Sequence, residues 1–438
     1  MCRRFGLVVM LVLLSLAQAA GQGGDEVDRY GGRRGIRWAA TGFFRTTKAE
    51  RRWWLVDPDG YVFISVGVNG VSLGPRDEPE EGSYRAAALD KHQRQPEWAK
   101  ATIERLWGWG FNTLGSGADR ETWREGMAYT VSLDCARTVP WGEGRTFPDV
   151  FDPAYERAVR RHVSRVCRDL GEEHALLGYF TDGELQWQPD EASPLTPESP
   201  LPLLAQFLGR EDEAPGRRAL LGFLEERYLT IGELNEAWRT EYESFEEIGR
   251  TPQVGSHIPQ EDVDGFLRLA ATEYFRIAHD AIREVDDHHL ILSCRFSGEA
   301  PRPVLEGMGD YVSVVSLNYF GALPPAQHLR EIHRVTGWPV LVSGFGFPKG
   351  RGVGGEEERG GQYERYVRAL LALPVVVGYH WSQYVEPARR LGRERRMSGL
   401  VDRSDEPQAA FVEAATRVNR DVYALAARQQ IQEKVGER

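Results

Sequence analysis

Glu184 is the residue of this sequence best placed to move a proton. It follows the apolar run Leu177-Gly178-Tyr179-Phe180-Thr181-Asp182-Gly183, and Trp187 stands three residues on, so a carboxyl leaves a buried strand beside an indole. Burial against an apolar ring raises a carboxyl pKa, as a general acid working near neutral pH requires. The alternative is a carboxylate that caps the next helix. Other apolar runs end in comparable residues: Asn69, Ser116, Asp134, Asp182, Arg295, Asn318 with Tyr319, Ser343 with Gly344, and His380 with Trp381. Fixed donors and acceptors interleaved with aromatic rings suit a sugar, whose hydroxyls need partners and whose ring face stacks. Each such residue also has a structural use, since strand-end polar groups cap helices and satisfy loop backbone.

These residues need a scaffold that brings strand ends together. Eight short apolar, β-branched or aromatic runs supply one: Tyr61–Asn69, Phe111–Gly115, Ala128–Leu133, Leu176–Thr181, Leu290–Phe296, Val312–Tyr319, Pro339–Phe345 and Val375–Trp381. Several are apolar on both faces, as buried parallel strands must be. Between them lie segments with helical periodicity, Pro96–Trp109, Pro153–Leu170, Asp262–Val285, Ala326–Thr336 and Gln362–Leu373,. This alternation predicts an α/β protein, a (β/α)8 TIM barrel with its site at the C-terminal ends of the strands. A doubly wound sheet is the competing architecture. The interval between the fourth and fifth runs is far longer than the rest; about 188–260 reads as a helical insertion on the site face, with a Pro- and acid-rich stretch, Pro189 to Pro202, and helical material at Leu220–Tyr228 and Ile231–Trp238. Its apolar residues are too dispersed for an independent core. A last helix, about Gln408–Leu425, precedes a polar tail at 426–438.

Composition narrows the classes further. The 438 residues are 41% hydrophobic and 27% charged, with 12 Trp, 16 Tyr and 18 Phe, which supports a large core and excludes disorder and a multi-span membrane protein,. Residues 1–19 read as a signal peptide: Arg3 and Arg4, an apolar stretch to Leu16, then Ala17-Gln18-Ala19,. The expected mature protein is secreted or periplasmic, and without those two arginines it carries 65 acidic against 52 basic side chains, or −13. That balance disfavours nucleic acid and anionic membranes as partners and mildly favours a neutral glycan, with Arg295 and Arg393 as local exceptions,. Cys135, Cys167 and Cys294 are too few for a disulfide framework, and no Cys/His spacing suggests a metal or other cofactor,. Gly350-Arg351-Gly352-Val353-Gly354-Gly355 formally matches GxGxxG, but Glu356, Glu357 and Glu358 would crowd a phosphate, so it reads as a loop over the cleft,. His288 and His289 diverge on a strand, and Ser343 lies in no GxSxG,.

Tyr179-Phe180-Thr181-Asp182-Gly183-Glu184-Leu185-Gln186-Trp187 resembles the acid/base segment of the agarase and β-galactosidase barrels of the large retaining glycosidase clan. Trp53 to Gly60, running into Phe63 to Asn69, resembles the opening of exo-β-agarase-like domains. Leu234-Asn235-Glu236-Ala237-Trp238 is similar to an insertion helix of the β-galactosidase-like members, and Gly378 to Tyr384 with Gly399-Leu400-Val401-Asp402 to the eighth-strand region of agarases. The likeness spans 42–425. It implies Glu184 as acid/base, Tyr319 as the sixth-strand tyrosine near the nucleophile and Trp381 as a sugar platform; Asn69, Asp182, Trp187, Arg295, Asn318 and His380 are the further substrate-binding candidates that the strand-end reading gives. Two departures stand out. Gly183 replaces the Asn that usually precedes the acid/base, and Gly344 stands where the family carries a nucleophilic Glu. Double displacement needs two carboxyls about 5–5.5 Å apart, and glycine supplies none. Two accounts remain open: a pseudo-glycosidase that binds a β-linked, galactan-type saccharide without cleaving it, or an enzyme with a relocated second carboxylate, Glu299 or Glu386, at the wider separation of an inverting pair,.

Overall fold

The computed structural model describes residues 27–75, 83–142, 145–188, 202–249, 257–347, 355–387 and 399–427. Residues 1–19, read above as a signal peptide, nearly all of the Pro- and acid-rich stretch, most of the GxGxxG loop, Arg393 and most of the polar tail lie outside these residues.

The chain opens with a small antiparallel sheet of β1 (Arg33–Arg37), β2 (Arg45–Ala49), β3 (Arg52–Val56) and β4 (Tyr61–Phe63), in the order β1-β4-β3-β2. Glu50 and Arg51, both at positive φ, make the two-residue turn that joins β2 to β3, the geometry that matches strand twist,. Asp57 closes the next turn by accepting from the Tyr61 amide through Oδ1, with Gly60 at φ 93°. This sheet seals one end of the larger one. Phe44, Leu55 and Phe63 pack with Leu177, Leu290, Val314, Leu341 and Val377 from the parallel strands, and the buried Arg52 guanidinium donates to the carbonyls of Leu371 and Val376.

The larger sheet comprises β5 (Ser65–Val68), β6 (Thr113–Leu114), β7 (Ala128–Ser132), β8 (Leu176–Phe180), β9 (Leu290–Ile291), β10 (Arg295–Ser297), β11 (Val315–Asn318), β12 (Val340–Phe345) and β13 (Val376–Trp381). All its pairings are parallel, in the order β10-β11-β12-β13-β5-β6-β7-β8-β9. Its two ends are chain neighbours: only Leu292–Cys294 separate β9 from β10, with Ser293 at φ 60°. β9 pairs with β8 and β10 with β11. The result is a barrel-like α/β fold in which all eight sequence runs take part. Two runs are divided: Leu290–Phe296 between β9 and β10 of the large sheet, and Tyr61–Asn69 between the sheets, Tyr61–Phe63 in the small one and Ser65–Val68 in the large one.

Helices alternate with the strands, among them Gln95–Gly108, Pro153–Cys167, Gln260–Arg283, Ala326–Thr336 and Glu356–Leu371. Asp152 caps the Pro153 helix by accepting from the Ala154 amide, and Pro at the first position suits a missing intrahelical donor,. Between β8 and Gln260 lie helices Leu203–Leu208, Pro215–Tyr228 and Ile231–Trp238. Their apolar residues join the main core, and Trp238 Nε1 donates to the buried Asp262 on the Gln260 helix at 2.7 Å. Cys135, Cys167 and Cys294 are free and buried. Among the described residues, no helix is long and apolar enough to cross a membrane.

Candidate functional site

Glu184, four residues beyond β8, meets the end of β11. Its Oε1 accepts from Asn318 Nδ2 at 2.9 Å, and Asn318 Oδ1 in turn accepts from Ser343 Oγ at 2.9 Å. Asn318, the last residue of β11, is buried, whereas Glu184 is exposed. Gly344 lies directly against this amide: a Cβ on Gly344 would come within 2.6 Å of Asn318 Oδ1 and 3.0 Å of its Cγ. The Asn318 side chain therefore fills the space that any side chain at 344 would enter.

Arg295 begins β10, and its backbone amide donates to the Asp182 carbonyl at 3.2 Å. Its guanidinium lies 5.7 Å from the Phe180 ring centroid. Burial lowers its pKa, while the charges of Glu184 and Asp134 act in the opposite sense, so all three groups share one electrostatic neighbourhood,. Arg295 Nε has no hydrogen-bond partner. Asp134, at the end of β7, is exposed and adopts a left-handed conformation (φ 52°, ψ 46°), which Asp tolerates better than most residues,.

The remaining expected residues have other work. Trp381 is fully buried on the outer side of β13, its ring 4.9 Å from Phe411, 5.3 Å from Phe345 and 5.6 Å from Tyr363, so it cannot serve as a sugar platform. Its neighbour His380 points the opposite way, as strand alternation demands. The His380 ring bonds Ser65 Oγ through Nε2 at 2.8 Å and fills the space beside Gly67. Burial, then the charge of Arg295, pushes its pKa down to about 3, so it is a neutral group inside the barrel. Trp187 is likewise in the core, 4.9 Å from Phe147 and 5.4 Å from Tyr274. It does not bury Glu184, and the premise of a carboxyl enclosed by an indole is overturned.

Asp182 is buried and accepts from the Ala136 amide and from Tyr274 OH; burial nevertheless pushes its pKa up to about 7. Asn69 is also committed, donating to the Ser343 carbonyl and Ser382 Oγ and accepting from the Ser116 amide, which ties three strand ends together. Tyr319 is half-buried, with its backbone amide donating to the Gly344 carbonyl. Glu299 is exposed and acts electrostatically on His328, and Glu386 is half-buried with its amide donating to the Val401 carbonyl. Neither shares the Arg295 neighbourhood in which Asp134 stands. Asp134 was legible as a strand-end acid, but its pairing with Glu184 around Arg295 was not.

A barrel-like parallel sheet whose strand ends carry a carboxylate, a guanidinium and amides places the chain in the α/β-barrel class of folds. No profile of a known protein family matches the sequence. The chain is 24% identical over 506 aligned positions to Beta-agarase B of Vibrio sp. (strain JT0107), covering 95% of this chain and 52% of that protein. It is 24% identical over 454 positions to Beta-agarase A of the same strain, covering 86% of this chain and 45% of that protein. The chain thus spans about half the length of the curated relatives it matches. Among solved structures, an exo-beta-agarase superposes with a TM-score of 0.81 at 22% identity, covering 94% of this chain and 69% of that one. Another agarase gives 0.80 at 23% identity, covering 95% and 70%. A beta-galactosidase from the haloarchaeon Halorubrum lacusprofundi gives 0.53 at 16%, covering 82% and 58%. The resemblance to agarase and β-galactosidase-like proteins is borne out, and the chain has the agarase fold.

Proposed function

We propose that this protein is a secreted, closed (β/α)8 barrel that binds a β-linked galactan-type saccharide at its mouth, below the helical insertion of about 188–260, and does not cleave it by double displacement. The observation that carries this reading is the Asn318 amide, which occupies the space beside Gly344 while gripping Glu184. If Gly344 marks the nucleophile position of related barrels, that position is both without a carboxylate and packed against a neighbour. The agarase relatives supply the saccharide class.

A second reading rests on Asp134. Glu184 and Asp134 both act on Arg295 and both are exposed, so they are the pair available for a single displacement. In that reaction Glu184 gives its proton to the glycosidic oxygen as the C–O bond breaks, and Asp134 takes a proton from the water that attacks the anomeric carbon from the opposite face. It requires carboxyls roughly 6.5–9.5 Å apart.

The test is incubation of the protein with neutral β-galactan oligosaccharides, with product anomers followed by NMR and binding by calorimetry. Saturable binding without turnover is expected. Turnover with inverted anomers, abolished by both Glu184→Gln and Asp134→Asn while binding persists, would establish the second reading. Turnover with retained anomers would overturn both.

A further inference from the structure

On the outer wall of the barrel, beside the end of β7, lies a groove of about 440 Å³ lined by Arg137, Thr138, Ala158, Arg161, His162 and Arg165. Arginine is its only charged residue type apart from that histidine, on a chain whose net charge is −11. Among the described residues, no carboxylate lies within ion-pair distance of Arg137, Arg161 or Arg165. The contrast within one helix is sharp. On another face of Pro153–Cys167, Arg160 pairs with Glu156 at 2.8 Å and with Glu284. On the groove side Arg161 and Arg165 are four residues apart, a spacing at which like charges repel and weaken a helix,. Keeping both there without an acid is unfavourable unless an anion is supplied from outside.

Two of the arginines are held in place. His162 Nε2 lies 2.7 Å from the Leu133 carbonyl, which can only accept, so Nε2 carries the hydrogen,. His162 Nδ1 then offers its lone pair to Arg165, whose guanidinium nitrogen is 2.9 Å away. A neutral imidazole thus orients a cation without neutralising it. The Arg137 guanidinium lies 5.8 Å from the Trp141 ring centroid, and the indole N–H donates to the Ala136 carbonyl at 2.6 Å. Arg137 is three residues beyond Asp134, and its charge reaches Asp182 at the end of β8, so the groove adjoins the barrel mouth.

We propose that this groove binds oxyanion substituents, sulfate esters above all, on a galactan strand whose neighbouring sugars occupy the mouth. Planar guanidinium groups match such oxyanions with paired N–H donors. A glycan fits better than a nucleic acid, because it can set a charged substituent against this strip while uncharged sugars lie along the negative remainder of the surface, whereas a nucleic acid carries a charge at every phosphate. For its sugar component the proposal rests on the galactan reading above; its charge selectivity does not.

The experiment is calorimetric titration of the protein with a sulfated galactan oligosaccharide, its chemically desulfated counterpart of equal length, and inorganic sulfate, at about 20 mM and about 500 mM salt. The expected result is at least tenfold tighter binding of the sulfated form at low salt, a preference that collapses at high salt as screening shortens to a few ångströms. Arg137→Gln/Arg161→Gln/Arg165→Gln should abolish the preference and leave affinity for the desulfated form unchanged without lowering the melting temperature, since relief of the Arg161/Arg165 repulsion offsets the lost Arg165 bond to His162,. Equal affinity for both oligosaccharides, a preference that survives in the triple variant, or inorganic sulfate binding without any preference between the glycans would each overturn the proposal. Binding of the sulfated form alone, lost in the triple variant, would support the groove while refuting the neutral-galactan reading of the mouth.

Discussion

Replacing Gly344 by alanine should cost stability through one neighbour, Asn318. The new Cβ would sit 2.6 Å from Asn318 Oδ1, well inside ordinary contact, and 3.5 Å from Asn318 Cβ, which is normal contact. Gly344 sits in β12 at a break in its pairing register but not at positive φ, so its backbone admits a Cβ and the amide is what must move. Moving it breaks the bond to the Glu184 carboxylate, worth about 1.5–3 kcal/mol as a bond to a charged group, and the bond from buried Ser343 Oγ, worth about 0.5–1.5 kcal/mol,. Part of the first is recovered because Glu184 is exposed and water can replace the donor, so the expected loss is about 2–3 kcal/mol,. In an Asn318→Ala background the same alanine meets no amide. There it should cost well under about 1 kcal/mol, since Gly→Ala at a compatible backbone restricts the unfolded chain. A double-mutant cycle by urea unfolding therefore predicts a coupling of about 2 kcal/mol. Equal costs in both backgrounds would refute the packing argument, as would a wild-type-background cost below about 0.5 kcal/mol. The same logic says that Gly344→Glu alone cannot rebuild a nucleophile, because its side chain needs Asn318 reduced to a smaller residue first.

Three further outcomes follow from the same coordinates. Asp57 is fully buried with its Oδ2 unpartnered beside Asp28, and burial, with the adjoining Asp28 carboxyl, pushes its pKa up to about 7. The folded state then holds a proton that the unfolded chain releases near pH 4, so this group's contribution is greatest below that and falls as pH rises to about 7, by up to about 4 kcal/mol; urea midpoints across this range should show the decline, and Asp57→Asn should remove this group's share while the like contribution of Asp182, also raised to about 7 by burial, persists,. Asp405 behaves oppositely: burial alone would raise its pKa, but hydrogen bonds from Arg105 and His92 outweigh that and hold it below the usual range. Its contribution is present above about pH 4 and lost in acid, and Asp405→Ala, which strands Arg105, should cost about 3–5 kcal/mol in a denaturation series. Trp381→Ala should cost about 3–5 kcal/mol of stability and leave saccharide affinity per folded molecule unchanged; a stable variant that no longer binds would contradict the buried placement,.

Much of the scaffold was legible because its signals are local. The bounds of helix Ala326–Thr336 agree with those read from its apolar spacing, and Gly337 in the left-handed conformation ends it; Ile231–Trp238 agrees likewise and is capped by Thr230,. The division of Tyr61–Asn69 was not legible, because both halves are apolar strand and only pairing partners distinguish them. The break at Ser293 was hidden for the same reason. At the site, strand order put Glu184, Arg295 and Asn318 at strand ends, and the Asn318 bond to Glu184 is what the structure adds. The aromatic assignments failed on parity. β13 reads Val376-Val377-Gly378-Tyr379-His380-Trp381 and is buried throughout, so no polar alternation reveals which residues face the barrel axis,. A strand-end position gives height along the barrel but not direction, and Trp381 had the height without the direction.

That distinction also sorts the polar residues. Asn69, Asp182 and Ser343 lie near the mouth, but their side chains are bonded to neighbouring strand ends, to the Ala136 amide and to Tyr274, so they fix the strand ends and have little left for a ligand, whereas His380, bonded to Ser65 through Nε2, keeps a buried, unpartnered Nδ1 against Gly115,. What stays available is charged: the exposed carboxylates of Glu184 and Asp134, the half-exposed Arg295 with an unpartnered Nε, and the arginines of the adjoining groove. Ligand selectivity must therefore come from charge placement around a rigid rim rather than from stacking on Trp381 or Trp187. A neutral sugar would meet Glu184 and Asp134 as acceptors for its hydroxyls, and Arg295 would keep those two carboxylates from repelling each other while they share it,. Removing the guanidinium, as in Arg295→Met, should consequently weaken binding of neutral and sulfated oligosaccharides alike, whereas loss of the groove arginines should separate them.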